Sequence, residues 1–185
     1  MKIPVIVSYL NPTIEKMSRK ELEDLQLHKL KKQLEYAYER NPFYRKRFGQ
    51  SKVRPGEIVS LEAFFERVPF VSKDDFVKDQ EEHPPYGSRL GVSPDKISQV
   101  HLTSGTSGLG QEVYARTRAD VELMGAIWMH NFQWSGVVKG DTAVNMVPIG
   151  TYCAGWSIMS GLFKMGLTSF HLHGMEAAAK LRLMQ

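Results

Sequence analysis

The sequence predicts an α/β protein. A helical and connective amino-terminal section covers 1–90, and 91–185 form the first part of a β/α layered domain with a largely parallel sheet, incomplete as it stands. Three observations predict this. Helix-start signatures pairing Ser or Thr with an acid three residues on occur at Ser18–Glu21, Ser72–Asp75 and Thr117–Asp120; each can satisfy orphan N–H groups of a first turn. From Ile97 onward strand-like runs alternate with helical ones, the pattern of βαβ units. Only three or four strands fit in the chain, which would leave an open sheet with an uncovered apolar face and edge.

The elements follow in order. After Ser18, Leu22, Leu25, Leu30 and Leu34 recur near helical spacing opposite Lys29, Lys31 and Lys32, and Asn41-Pro42 ends the helix because a residue before proline avoids the α region. A short helix is predicted over Leu61 to Arg67, stopped before Pro69, and a third from Ser72 to the Pro84-Pro85 pair. Strands follow at 97–102 and 112–116, then a helix from about Asp120 to Trp134 and a strand near Thr142–Val147. A helix near Gly155–Met165, a strand at Thr168–Leu172 and a helix from Met175 complete the run. On the middle helix Met124, Ile127, Trp128 and Phe132 make a stripe expected to pack on the sheet.

A hydrophobic share of 42% and a charged share of 24% suit a globular chain able to bury a core. The net charge of +4 comes mainly from Lys and Arg between Arg19 and Arg54, on a segment that reads as a solvated helix face. No nucleic-acid motif accompanies it, so no nucleic-acid partner is expected. The single Cys153 excludes an intramolecular disulfide framework. No signal peptide opens the chain, and the apolar residues between Ile3 and Leu10 are too few to span a bilayer, so the expectation is a cytoplasmic protein without membrane association.

The most informative stretch is Thr103-Ser104-Gly105-Thr106-Ser107-Gly108-Leu109-Gly110-Gln111, with four hydroxyls and three glycines in nine residues. Glycines let backbone N–H groups approach a ligand, and hydroxyls add short donors, a combination that suits a nucleotide polyphosphate. The same composition also suits a flexible turn. A P-loop is excluded, because Gln111-Glu112 stands where Lys and Ser/Thr are required. A dinucleotide fingerprint is excluded too, since position 113 is Val and the loop leads into a strand.

The run resembles the signature loop of the AMP-forming acyl-adenylate superfamily, T-S-G-T-T-G-x-P-K. Its flanks resemble the phenylacetate–coenzyme A ligase group, amino-terminal portion only. Asn41-Pro42-Phe43-Tyr44-Arg45 is similar to that group's N-P-F-Y-R element, and Val68-Pro69-Phe70-Val71-Ser72-Lys73-Asp74-Asp75 to its L-P-F-T-T-K-D-D-L element. The resemblance implies a two-step reaction using ATP, Mg2+ and coenzyme A. A carboxylate attacks the α-phosphorus of ATP to give an acyl-adenylate and pyrophosphate, and the coenzyme A thiolate then gives a thioester and AMP. It implies ATP/phosphate contacts from Thr103, Ser104, Gly105, Thr106, Ser107, Gly108 and Gln111. The sequence departs from the pattern at the loop lysine, which is Gln111 or Leu109 depending on alignment. Gln111 can donate a hydrogen bond but brings no charge; Lys139 or Arg116 could compensate, with nothing in the sequence placing either beside the loop.

By the same resemblance, Tyr152, Cys153, Ala154, Gly155 and Trp156 line an acyl-substrate pocket for an aryl or acyl carboxylate, with an ordinary strand-to-helix turn as the alternative. Cys153 lacks a neighbouring base and is not read as a nucleophile. His171-x-His173 lacks further ligands, so no metal site is assigned. The superfamily's adenine, magnesium and ribose elements and its carboxy-terminal catalytic Lys lie beyond residue 185. No catalytic residue is therefore assigned within this chain, which is expected to be inactive alone and to need its missing carboxy-terminal portion or to self-associate. The alternative is a non-catalytic remnant that binds a nucleotide or a protein partner.

Overall fold

A computed structural model describes residues 9–105, 108 and 110–184. The chain divides into two compact units: one is Asn11–Ile97 with the described residues of 104–115, and the other contains Ser98–Thr103 and the chain from Arg116 onward.

The first unit is helical. It contains α1 (Pro12–Glu15), α2 (Arg19–Arg40), α3 (Pro42–Gln50), α4 (Leu61–Arg67) and α5 (Lys73–Glu82), with short 3-10 turns at Pro55–Glu57 and Pro94–Lys96. Ser18 and Ser72 cap α2 and α5 in reciprocal boxes with Glu21 and Asp75, as the sequence pattern predicts. Asn41 both ends α2 and starts α3, accepting from the Tyr44 N–H with Pro42 in the first turn. Sequence reasoning took Asn41-Pro42 only as a stop; proline is equally at home at the first position of a helix, where its missing N–H costs nothing. Leu34, Phe48, Val53 and Ile58 form the core, with Leu30, Tyr44, Phe64 and Val68 packed around them.

The two family-like elements of this unit pack on each other. Phe43 of α3 meets Phe76 of α5 with ring centroids 5.2 Å apart. Arg47 lies over the Phe43 ring at 5.3 Å and forms an ion pair with Asp75.

The second unit contains α6 (Arg118–Trp134), α7 (Cys153–Met165) and α8 (Ala177–Leu183). The strands are β1 (Ile97–Leu102), β2 (Val113–Thr117), β3 (Thr142–Asn145) and β4 (Thr168–His171). Among the described residues the strands pair two by two: β1 with β2, and β3 with β4 in parallel, Thr142 opposite Thr168 and Asn145 opposite His171. The parallel pair brackets α7, as a βαβ unit requires. Thr117 caps α6 in a box with Asp120, and Gly166 at φ 69° closes α7 in the left-handed conformation.

The stripe on α6 meets a helix where a sheet was expected. A side chain at Gly161 of α7 would strike Trp128 and Phe132, so the missing Cβ lets the helices approach, while Ile127 stays exposed. Glu122 and Lys164 join α6 to α7 at 2.6 Å.

Candidate functional site

The described residues of 103–111 lie between β1 and β2, and none is helical. Gly105, Gly108 and Gly110 have φ of 70°, 74° and 89°, a region where L side chains are strained. Three left-handed positions within six residues turn the backbone sharply, and the Gly108 N–H donates to the Gly105 carbonyl at 3.3 Å. Ser104, Gly108, Gly110 and Gln111 are exposed, and Thr103 and Gly105 half-buried. Thr106 and Ser107 lie outside the described residues. The aliphatic stem of Gln111 crosses the face of Gly105, 3.0 Å from where a Cβ would stand.

The carboxy-terminal arm of this loop is held from α5. The Gln80 side-chain amide donates to the Gln111 carbonyl at 3.3 Å and accepts from the Val113 N–H at 2.8 Å. Between those two contacts, Glu112 is 2% exposed. Its carboxylate accepts from Arg89 at 2.6 Å and from the Tyr114 hydroxyl at 2.8 Å. Arg89 also donates to the Val113 carbonyl at 3.3 Å and stacks over Phe76 at 4.4 Å. Its Nε stands 4.0 Å from Asp79, which in turn accepts from the Ser88 N–H at 2.9 Å. Glu112, which in the sequence only marks the failure of the P-loop pattern, is thus buried and ion-paired. No local pattern signals this, because its partner lies 23 residues away.

The amino-terminal side of the loop belongs to the second unit. The Leu102 N–H donates to the Thr151 carbonyl at 2.9 Å. His101 is buried beside Gln99; burial, aided by the Arg116 charge, holds its imidazole below the usual range, towards the neutral form. Arg116 donates to the Ser157 hydroxyl at 3.1 Å. Lys139 is exposed in the turn before β3.

Tyr152 stands at the cap of α7 and Cys153 to Trp156 form its first turn. Tyr152 and Ala154 are exposed, Cys153 and Trp156 half-buried. The Trp156 indole N–H is tied to the Gly150 carbonyl at 2.9 Å. A Cβ at Gly155 would strike the Pro148 carbonyl, so this glycine lets the first turn press on the 148–149 backbone. A separate apolar cavity of about 540 Å3 opens between β3 and α7, lined by Val144, Met146, Val147, Ile158 and Leu162, with none of 152–156 in its wall. His171 contacts Ser169 at 3.1 Å and Asn145 at 3.5 Å, and His173 is exposed in a turn. Among the described residues no three His, Cys, Asp or Glu side chains are grouped as a metal site would group them.

No family model matches the chain. A phenylacetate–coenzyme A ligase of Aromatoleum evansii is 31% identical over 172 residues, 93% of this chain and 38% of that protein. The chain is phenylacetate–coenzyme A ligase-like. A second such ligase, from Thermus thermophilus, is 28% identical over 174 residues, 94% of this chain and 38% of that one. Solved structures of 2-hydroxyisobutyryl-CoA ligase match the whole chain. An open form with 2-HIB-AMP and coenzyme A gives a TM-score of 0.87 at 28% identity over 42% of its length. The thioesterification state gives 0.87 at 30% identity over 39%. The ligase-like chain thus spans about two fifths of the length of these relatives, and its α/β architecture is that of an acyl-CoA ligase amino-terminal portion. No helix among the described residues is long and apolar enough to cross a membrane.

Proposed function

We propose that this chain supplies the phosphate-holding part of an ATP-dependent aryl- or acyl–coenzyme A ligase, acting through an acyl-adenylate. The observation that carries the reading is the loop: three left-handed glycines in six residues, Gly108 and Gly110 exposed and Gly105 half-buried, beside the exposed Ser104. Backbone that passes through left-handed positions can present N–H groups as an anion-binding concavity. Thr103, Ser104, Gly105, Thr106, Ser107, Gly108 and Gln111 hold the polyphosphate; Tyr152, Cys153, Ala154, Gly155 and Trp156 border the acid. The division into a helical section over 1–90 and an adenylate-forming portion over 91–185, the use of Mg2+, and a cytoplasmic location belong to the same proposal. ATP, coenzyme A and a small carboxylate are the substrates.

The test is pyrophosphate release by a protein containing this chain and the remainder of a ligase, given ATP and an aryl or short-chain acid. Ser104→Ala with Thr106→Val should cut the rate by about 10²–10³, the usual loss when preorganised donors to a transferring group are removed. The 185 residues by themselves should show no turnover. If no acid supports pyrophosphate release, the ligase reading falls and the chain is a non-catalytic nucleotide- or protein-binding remnant.

A further inference from the structure

We propose that Gln80 is a positioning residue for the glycine-rich loop, a latch on α5 that fixes the loop's carboxy-terminal arm in the conformation that receives polyphosphate; this rests on the reading of the loop as a phosphate site. One side-chain amide serves two backbone groups, the Gln111 carbonyl and the Val113 N–H. It engages the arm as a neighbouring strand would, with a donor and an acceptor spaced across one residue. The residue between them, Glu112, is buried in its ion pair with Arg89. The arm is therefore held at three successive residues, and α5 reaches it again where Val77 lies 3.4 Å from the Cβ position of Gly110.

The latch has a second consequence. Gln111 crosses Gly105 only while its backbone is fixed, so the two limbs of the loop keep their separation through Gln80. A loop whose donors must already be in place for a multiply charged ligand gains affinity by having that ordering done in advance.

Gln80→Met fills the same volume and drops both hydrogen bonds. Gln80→Glu keeps the acceptor and regains the donor only when its carboxyl is protonated. Both are compared with the wild-type 185-residue chain, using inorganic tripolyphosphate as the probe, amide exchange at Gly105, Gly110 and Gln111, and thermal unfolding. Two lost hydrogen bonds of about 0.5–1.5 kcal/mol each predict roughly tenfold faster exchange and roughly tenfold weaker binding in Gln80→Met. Exchange in Gln80→Glu, which keeps the bond from the Val113 N–H, should lie between Gln80→Met and wild type at neutral pH and move towards wild type as pH falls to about 4. The wild type measured over the same range corrects for Asp79, Arg89 and Glu112, the charged groups of this cluster. Wild-type binding and exchange in Gln80→Met overturn the proposal. So does faster exchange spread equally to core amides such as Leu34 and Phe48, which would make Gln80 a general stabiliser. If the wild type binds no tripolyphosphate, the phosphate reading of the loop fails, and the latch is decided by exchange alone.

Discussion

Arg89 donates to the Glu112 carboxylate at 2.6 Å, and this pair lies between the family-like helical elements and the glycine-rich loop. Phe43 packs on Phe76, Phe76 carries the Arg89 guanidinium, and Arg89 neutralises the residue that follows Gln111. Asn41 adds a second tie, donating from its side chain to the Arg89 carbonyl at 2.5 Å. Motifs roughly 30 and 60 residues before the loop thereby fix where its arm emerges.

Breaking the pair at one end should be costly. Arg89→Met removes the guanidinium paired with the buried Glu112 carboxylate, a loss of about 3–5 kcal/mol in comparable buried pairs. Adding Glu112→Gln to that variant removes the carboxylate as well and should recover a substantial part of the loss. Urea unfolding of the two single variants and the double closes the cycle; additive losses would show that the two residues act separately.

The three capping boxes were legible because each is written within four residues and satisfies its own backbone groups. The strand-and-helix order after Ile97 was legible for the same reason: period and breakers are local. What sequence could not reveal is long-range. The Gln80 and Arg89 contacts join residues 23 to 33 apart, and nothing in a half-buried Gln on a helix marks it as a backbone partner. The α6 stripe shows a different limit. Its periodicity identifies a buried face without saying what covers it, and two glycines of α7, Gly155 and Gly161, look alike in sequence but admit different neighbours.

Acid should loosen α5 through its cap. The Ser72 backbone N–H and hydroxyl, with Arg47 adding, hold the Asp75 carboxyl below the usual carboxylate range. A carboxyl lowered in the folded state contributes stability that is present above its unfolded value, about 4, and is lost as pH falls through the lower folded value. Thermal unfolding between pH 7 and pH 2 should therefore fall less steeply at the acid end in Asp75→Asn than in wild type. Ser72→Ala should lose about 1 kcal/mol at neutral pH. Parallel acid profiles for Asp75→Asn and wild type would contradict the assignment.

Two loop glycines should respond differently to the same change. Alanine at Gly105 or Gly108 must adopt a left-handed backbone, costing about 1–2 kcal/mol. Among the described residues nothing comes within 4 Å of a Cβ at Gly108, whereas a Cβ at Gly105 meets Gln111 at 3.0 Å. Both variants should unfold at lower temperature, but Gly105→Ala alone should displace the Gln111 amide resonance strongly. It should also lose more tripolyphosphate affinity than Gly108→Ala. Equal affinity losses would mean that the Gln111–Gly105 contact does not shape the site.

Under one of the two alignments Gln111 takes the place of the lysine in the resembled loop, and its surroundings say what a cation there would do. Its carbonyl is taken by Gln80 and its stem crosses Gly105, leaving the end of the side chain exposed. Lysine at this position can keep the same stem contact and place an ammonium beside the glycine-rich loop. An exposed charge pair is worth about 0.2–1 kcal/mol, so Gln111→Lys should tighten tripolyphosphate binding by a few-fold at most. The gain should shrink as salt rises from about 0.01 M to 0.15 M, because the screening length falls from about 30 Å to 8 Å. Calorimetric titration of both proteins at the two salt concentrations reads this directly. A gain that survives high salt undiminished would argue for a desolvated contact instead, and no gain at low salt would remove position 111 from the phosphate site.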